Sequence, residues 1–146
     1  DTEIGKRIIN NMNNGKFVED EIVNKLLEKT IFDSSKKNKL IFDGYPRTIN
    51  QAKNLENLLN KSDQKIDYVF FLNVNKSTII NRIEKRKILE KRSDDDLKTF
   101  VMRYDKYMET TKPVLDFYTT NLNFHELDGS LKIDEITAKI DAFLNL

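Results

Sequence analysis

Lys39-Leu-Ile-Phe-Asp-Gly-Tyr-Pro-Arg-Thr48, followed shortly by Gln51-Ala52, organises the reading of this chain. An apolar run stops at Asp43-Gly44, a Pro and an Arg come next, and a helical pattern starts at once. Lys39–Phe42 therefore reads as a buried strand. Polar groups at the carboxyl end of such a strand stand where open α/β sheets bind ligands. Asp-Gly and Tyr-Pro are also ordinary turn formers, so the dipeptides alone would indicate only a turn.

The same alternation continues outward. Thr48–Leu59 has a helical stripe of Ile49, Ala52, Leu55, Leu58 and Leu59, with Thr48 suited to the cap. Ile66–Val74, containing Tyr-Val-Phe-Phe-Leu, reads as a second buried strand. Ser77–Lys87 follows as a helix packed through Ile79, Ile80 and Ile83. Ser93–Tyr107 is predicted helical, capped by Ser93 or Asp94, and Lys112–Tyr118 resumes after a break, with Pro113 near its start. Phe124–Leu127 is a third strand, closed by Asp128-Gly129. Ile133–Leu144 is a final helix through Ile133, Ile136, Ile140, Phe143 and Leu144. Upstream, Ile4, Ile8, Ile9 and Met12 fit a short helix. A second helix over about Glu19–Thr30 turns Ile22, Val23, Leu26 and Leu27 inward, with Glu19, Asp20 and Glu21 matching the dipole of its first turn. Strands alternating with helices predict α/β, a parallel sheet flanked by helices.

Bulk properties narrow the function classes. The chain has 146 residues, enough for one domain with a real core. Its 25 basic and 24 acidic side chains give a net charge of +1, so no global field calls for nucleic acid or anionic lipid. No run is long and apolar enough for a membrane span. There is no cysteine, which excludes disulfides and thiolate metal sites. A cytoplasmic monomer is the default expectation. The sole histidine, His125, falls inside a predicted strand and is expected to be structural.

Arginines form the second constellation. Arg82 and Arg86 are one helical turn apart and share a face, Arg92 follows a short loop, and Arg103 lies along the next helix. A basic stretch is usually a solvated face. Arginines spread over three elements can also meet the charge of several phosphates, and phosphoryl transfer needs such neutralisation.

Taken together, Asp43-Gly-Tyr-Pro-Arg-Thr-x-x-Gln-Ala52, Arg82-x-x-x-Arg86, Arg92-Ser-Asp94-Asp95 and Arg103 resemble the adenylate kinases and their nucleoside monophosphate kinase relatives of the short-lid type. Tyr45 replaces the commoner Phe. The resemblance implies magnesium-ATP and AMP as substrates and two ADP as products. It implies that Lys16, Val18, Gly44, Arg47 and Gln51 bind AMP, with the Gln51 amide on the adenine edge. Arg82, Arg86, Ser130 and Leu131 would bind ATP, Arg82 stacking on its adenine. Arg47, Arg86, Arg92 and Arg103 would be catalytic, Asp94 and Asp95 would hold these arginines or help close the lid, and Asp43 would hold Mg2+ through water. Pro46 would be cis. No zinc is implied, residues 1–32 would belong to the monophosphate-binding arm, and 86–94 would be a short lid loop in a single domain spanning 1–146.

The first strand and Gly-x-x-x-x-Gly-Lys phosphate loop of that fold have no counterpart, since Gly5, Gly15, Gly44 and Gly129 are not so arranged. In the family that strand lies between those matched by Lys39–Phe42 and Tyr68–Val74. The chain is thus expected to be an N-terminally truncated piece, transferring phosphoryl groups poorly or not at all by itself. The near alternative is a UMP/CMP kinase, against which Gln51 speaks because pyrimidine-directed relatives usually carry Asn there. A non-catalytic kinase-like module for regulation or assembly is the alternative of another class. A nucleic-acid module ranks below both, given the acidic cluster Asp94–Asp96.

Overall fold

A computed structural model describes residues 5–6, 20–90, 97–120 and 123–145. Its helices are α1 (Asp20–Ile31), α2 (Ile49–Lys61), α3 (Lys76–Glu90), α4 (Leu97–Lys106), α5 (Lys112–Tyr118) and α6 (Ile133–Leu144). Two strands, β1 (Val69–Asn73) and β2 (Phe124–Asp128), pair in parallel, from Val69 opposite Phe124 to Asn73 opposite Asp128. The crossover between them contains α3, α4 and α5. The chain is therefore α/β, a parallel sheet flanked by helices, as the alternating pattern predicts.

The α2 helix organises the packing. The Thr48 hydroxyl accepts the Gln51 N–H at 3.2 Å, capping the helix start as expected. One part of its apolar face joins Ile31, Leu55, Leu58 and Leu59 into a core with Leu27, Leu40, Phe42, Tyr45 and Ile66. The other part sets Ala52 against Val114 and Tyr118 of α5, backed by Val69 and Phe124 of the strands. The same helix thus carries the α1 side of the molecule on one flank and the sheet on the other.

The structure departs from the sequence reading at several places. Lys39–Phe42 is not a strand, and Ile41 is 95 % exposed. Leu40 and Phe42 pack on the α2 core while the alternate side chain, Ile41, faces out. Among the described residues no neighbouring strand covers that side, and without a ladder such a run has no second buried face. Leu26 is 55 % exposed rather than inward, whereas Ile31, one helical turn beyond Leu27, is among the deepest residues. Leu26 lies about 100° around the helix from Leu27, off the stripe.

Beyond α4 there is no break. The chain passes through a π turn, Tyr107–Thr111, directly into α5. Pro113 offers no N–H to an α-helical ladder, and a widened turn before it accommodates the missing donor. Finally, Ile133 is 81 % exposed, and α6 packs instead through the half-buried Ile136, Ile140 and Leu144. Phe143 remains accessible but stacks on His125 with ring centroids 3.8 Å apart, and Phe70 of β1 stacks on the same imidazole at 5.5 Å. His125 therefore has the structural role expected of it. The predicted first helix and the Ser93/Asp94 cap lie outside the described residues, apart from helical Gly5-Lys6.

Candidate functional site

The turn after Phe42 is held by its own side chains. Gly44 adopts φ 65°, a left-handed conformation that glycine takes without steric cost. Its carbonyl accepts from Nε of Arg47 at 2.6 Å, and a Cβ on Gly44 would lie 2.9 Å from Nη2 of the same guanidinium. The Tyr45–Pro46 bond is cis. Asp43 is exposed at the start of the turn.

Arg47 is fixed through its backbone as well. Its N–H donates to Oε1 of Gln51 at 2.7 Å, and its carbonyl accepts the Thr111 hydroxyl at 3.0 Å. Gln51 is only 5 % exposed, and its Nε2 donates to Oδ1 of Asp20 at 2.6 Å. A second polar rung joins the same two helices one turn on, where Nδ2 of Asn54 donates to Oδ1 of Asn24 at 2.9 Å. Tyr45 reaches the Gln51 carbonyl with its hydroxyl at 3.3 Å. Burial pushes the Tyr45 phenol upward; Asn54 opposes that shift and the Asp20 carboxylate adds to it.

A second polar group forms at the carboxyl end of β2. Oδ1 of Asp128 accepts both the Ser130 N–H at 2.8 Å and the Ser130 hydroxyl at 2.5 Å. These bonds hold the Asp128 carboxyl below its ordinary range, and the positive charges of Arg82 and Lys139 act in the same direction. Arg82 is exposed on α3. Gly129 closes tightly on the strand beside it. Its N–H donates to the Asn73 carbonyl at 2.8 Å, and a Cβ there would sit 2.5 Å from Cγ2 of Val74. The Asp128 group stands at the carboxyl end of β2, the usual position for ligands in this architecture.

The structure therefore brings Gly44, Arg47 and Gln51 together in one turn and Asp128 and Ser130 in another, with the charge of Arg82 acting on the Asp128 carboxyl. Leu131 follows directly and is half-buried. Arg86 is half-buried on α3, which extends to Glu90, three residues beyond the expected helix end; Arg103 is half-buried on α4. Lys16, Val18, Arg92, Asp94 and Asp95 lie outside the described residues. Two concave surfaces of about 270 and 590 Å3 occur elsewhere, at the carboxyl end of α2 around Asn60 and Lys65, and neither is lined by any of these groups.

Three contributors escape a linear reading. Asp20 resembles any acid in a first helical turn, Asn24 any helix-surface amide, and Thr111 sits in a turn that sequence periodicity does not show. Only the recurrence of polar residues on otherwise apolar faces, at 20 and 24 on α1 and at 51 and 54 on α2, signals the paired rungs.

A family model described as adenylate kinase matches residues 1–123. The chain belongs to the adenylate kinase family. An adenylate kinase of Pelagibacter ubique is 42 % identical to it, the alignment covering 99 % of this chain and 80 % of that protein. One from Mycoplasma mycoides is 36 % identical, covering 94 % and 75 % respectively. One from Hyphomonas neptunium is 36 % identical over 98 % and 76 %. The Pelagibacter alignment runs over 171 positions against the 146 residues of this chain, so at least 25 of its internal positions have no counterpart here. The Hyphomonas alignment has 143 positions and no such excess. Members of the adenylate kinase family thus differ in length within the matched region, and this chain is of the shorter form. Among its described residues no helix is long and apolar enough to cross a membrane, and no group of three or more His, Cys, Asp or Glu residues could hold a metal ion.

Proposed function

We propose that the protein is a nucleoside monophosphate kinase that passes the terminal phosphoryl group of magnesium-ATP to AMP, giving two ADP. The observation that carries this reading is the Arg47–Gln51 bond. A phosphate-directed arginine and a buried amide suited to a base edge belong to one turn, where the backbone N–H of Arg47 donates to Oε1 of Gln51 at 2.7 Å. In the complete protein, Gly44, Arg47 and Gln51, with Lys16 and Val18, take the monophosphate. Arg82, Arg86, Ser130 and Leu131 take ATP. The influence of the Arg82 charge on the Asp128 carboxyl, in the turn that holds Ser130, supports that donor end. Residues 1–32 are the monophosphate arm and 86–94 the short lid, the latter in keeping with the shorter matched region.

The chemistry asks little of the protein beyond placement and charge. An oxygen of the AMP phosphate attacks the terminal phosphorus, and the bond from that phosphorus to the bridging oxygen breaks. The attacking oxygen is already ionised, so no general base is required. Arg47, Arg86, Arg92 and Arg103 neutralise the equatorial oxygens as charge shifts toward the leaving diphosphate. Asp43 is an exposed carboxylate outside any metal-binding group among the described residues, which suits a hydrated Mg2+ bound mainly by substrate phosphates better than an all-protein cage. That ion, arriving with ATP, supplies charge neutralisation.

Competition among AMP, CMP and UMP as acceptors with the complete protein tests the assignment. A clear AMP preference is expected. Preference for a pyrimidine would transfer the protein to the UMP/CMP kinases, and no turnover by the verified complete chain would indicate a non-catalytic module.

A further inference from the structure

We infer that Asp20 is a specificity-positioning residue, fixing the polarity with which the Gln51 amide meets the acceptor base. The inference rests on the AMP reading above and deepens it. The two ends of a glutamine amide have nearly the same shape, so hydrogen-bond partners decide which end points where. Gln51 has two partners of opposite kind. The Arg47 N–H can only donate, and it faces Oε1 at 2.7 Å; the Asp20 carboxylate accepts, and it faces Nε2 at 2.6 Å. Turning the amide over would set donor against donor at Arg47 and acceptor against acceptor at Asp20. At 5 % exposure the amide has little water available to relieve such a mismatch.

Each amide atom keeps one unused capacity after these bonds, an oxygen lone pair and a nitrogen hydrogen. A 6-aminopurine presents an amino donor beside a ring-nitrogen acceptor, which complements that pair in the observed polarity. A 6-oxopurine presents a carbonyl acceptor beside a ring N–H and asks for the reverse. Removing Asp20 takes away the acceptor that opposes the reversed amide. Its neighbour Glu21 cannot substitute, since it is paired along α1 with Lys25 at 2.9 Å. The Asn24–Asn54 rung holds the same two helices without touching Gln51 and offers a structural control.

The experiment compares kcat/KM for AMP and for IMP, with magnesium-ATP as donor, in the complete enzyme and its Asp20→Ala, Asp20→Asn and Asn24→Ala variants. Loss of one charge-assisted hydrogen bond should lower the AMP-over-IMP ratio of Asp20→Ala by about tenfold, through KM more than kcat. Asp20→Asn keeps an oxygen that can accept and should retain most of the ratio. Asn24→Ala should lose stability while leaving the ratio unchanged. If Asp20→Ala does not fold, Asp20→Ser, too short to reach Gln51, takes its place. An unaltered ratio in Asp20→Ala or Asp20→Ser, or an equal fall in Asn24→Ala, overturns the inference while AMP remains the preferred acceptor of the parent enzyme. A parent enzyme that prefers pyrimidines fails the AMP reading itself, a separate and recognisable result.

Discussion

The Thr111 hydroxyl donates to the carbonyl of Arg47 at 3.0 Å, across 64 residues of chain. Thr111 ends the π turn that follows α4, the helix bearing Arg103. The bond therefore ties the element carrying one proposed catalytic arginine to the turn carrying another. With Gln51 on its N–H, the Arg47 peptide is held from both sides. Replacing Thr111 by Val keeps the shape and removes the donor. We expect a loss of roughly 1 kcal/mol in unfolding free energy and a severalfold rise in the apparent constant for AMP, read by denaturant titration and steady-state kinetics. Kinetics identical to the parent would show that Arg47 needs no such anchor.

Arg103 and Arg47 should separate in their kinetic signatures. A contact that strengthens as the phosphoryl group moves lowers kcat and kcat/KM together when lost. Arg103→Ala in the complete enzyme should thus lower turnover far more than it weakens AMP binding, with binding followed by calorimetry. Arg47→Ala should also raise the apparent constant for AMP. Wild-type kinetics in both would remove these residues from the reaction.

How far these relationships could be read from the sequence depended on their range. The α2 stripe and the β1 and β2 runs are local periodicities, and Leu55, Leu58 and Leu59 are buried where the period put them. The Asp43–Gln51 group was legible because its residues are near neighbours in sequence. Asp20 reaches Gln51 across 31 residues, and nothing local distinguishes it from a dipole-compensating acid. Ile41 reads as a strand residue by composition, whereas strand formation depends on a paired neighbour, and the strand that the family resemblance sets beside it has no counterpart in the sequence. The π turn is not legible because Pro113 reads equally well as the start of a new helix, which sets a break where the chain stays helical.

Tyr118 offers a stability test with an unusual sign. Its hydroxyl is buried and has no hydrogen-bond partner among the described residues, while its ring packs edge-on against Phe117 at 5.1 Å. Burial raises the phenol well above its ordinary range, with the charges of Glu56 and Tyr45 adding to the shift, so the group stays neutral. A buried unpaired hydroxyl costs on the order of 1–3 kcal/mol. Tyr118→Phe removes that cost and keeps the ring. Thermal unfolding should show the variant at least as stable as the parent, and a marked loss would mean that the hydroxyl is paired in solution.

The Asp128 carboxyl gives a prediction in pH. Its folded value is lowered from the ordinary 3.8 first by the Ser130 hydroxyl and N–H, and then by Arg82 and Lys139. For a carboxyl depressed on folding, the unfolded chain takes up the proton first as pH falls. Its stabilising effect is therefore fully present above the ordinary value and disappears as pH drops through the lower, folded value. Carbon-detected titration should place the Asp128 midpoint below 3.8, and Ser130→Ala should move it upward. The same substitution should flatten the acid limb of the stability curve below about pH 4, where depressed carboxylates lose their advantage. The main-chain bond from residue 130 remains in the alanine variant, so the midpoint should rise only part of the way. A midpoint unmoved by Ser130→Ala would leave the depression to that main-chain bond and to Arg82, and an upward shift in Arg82→Ala would assign it to the charge.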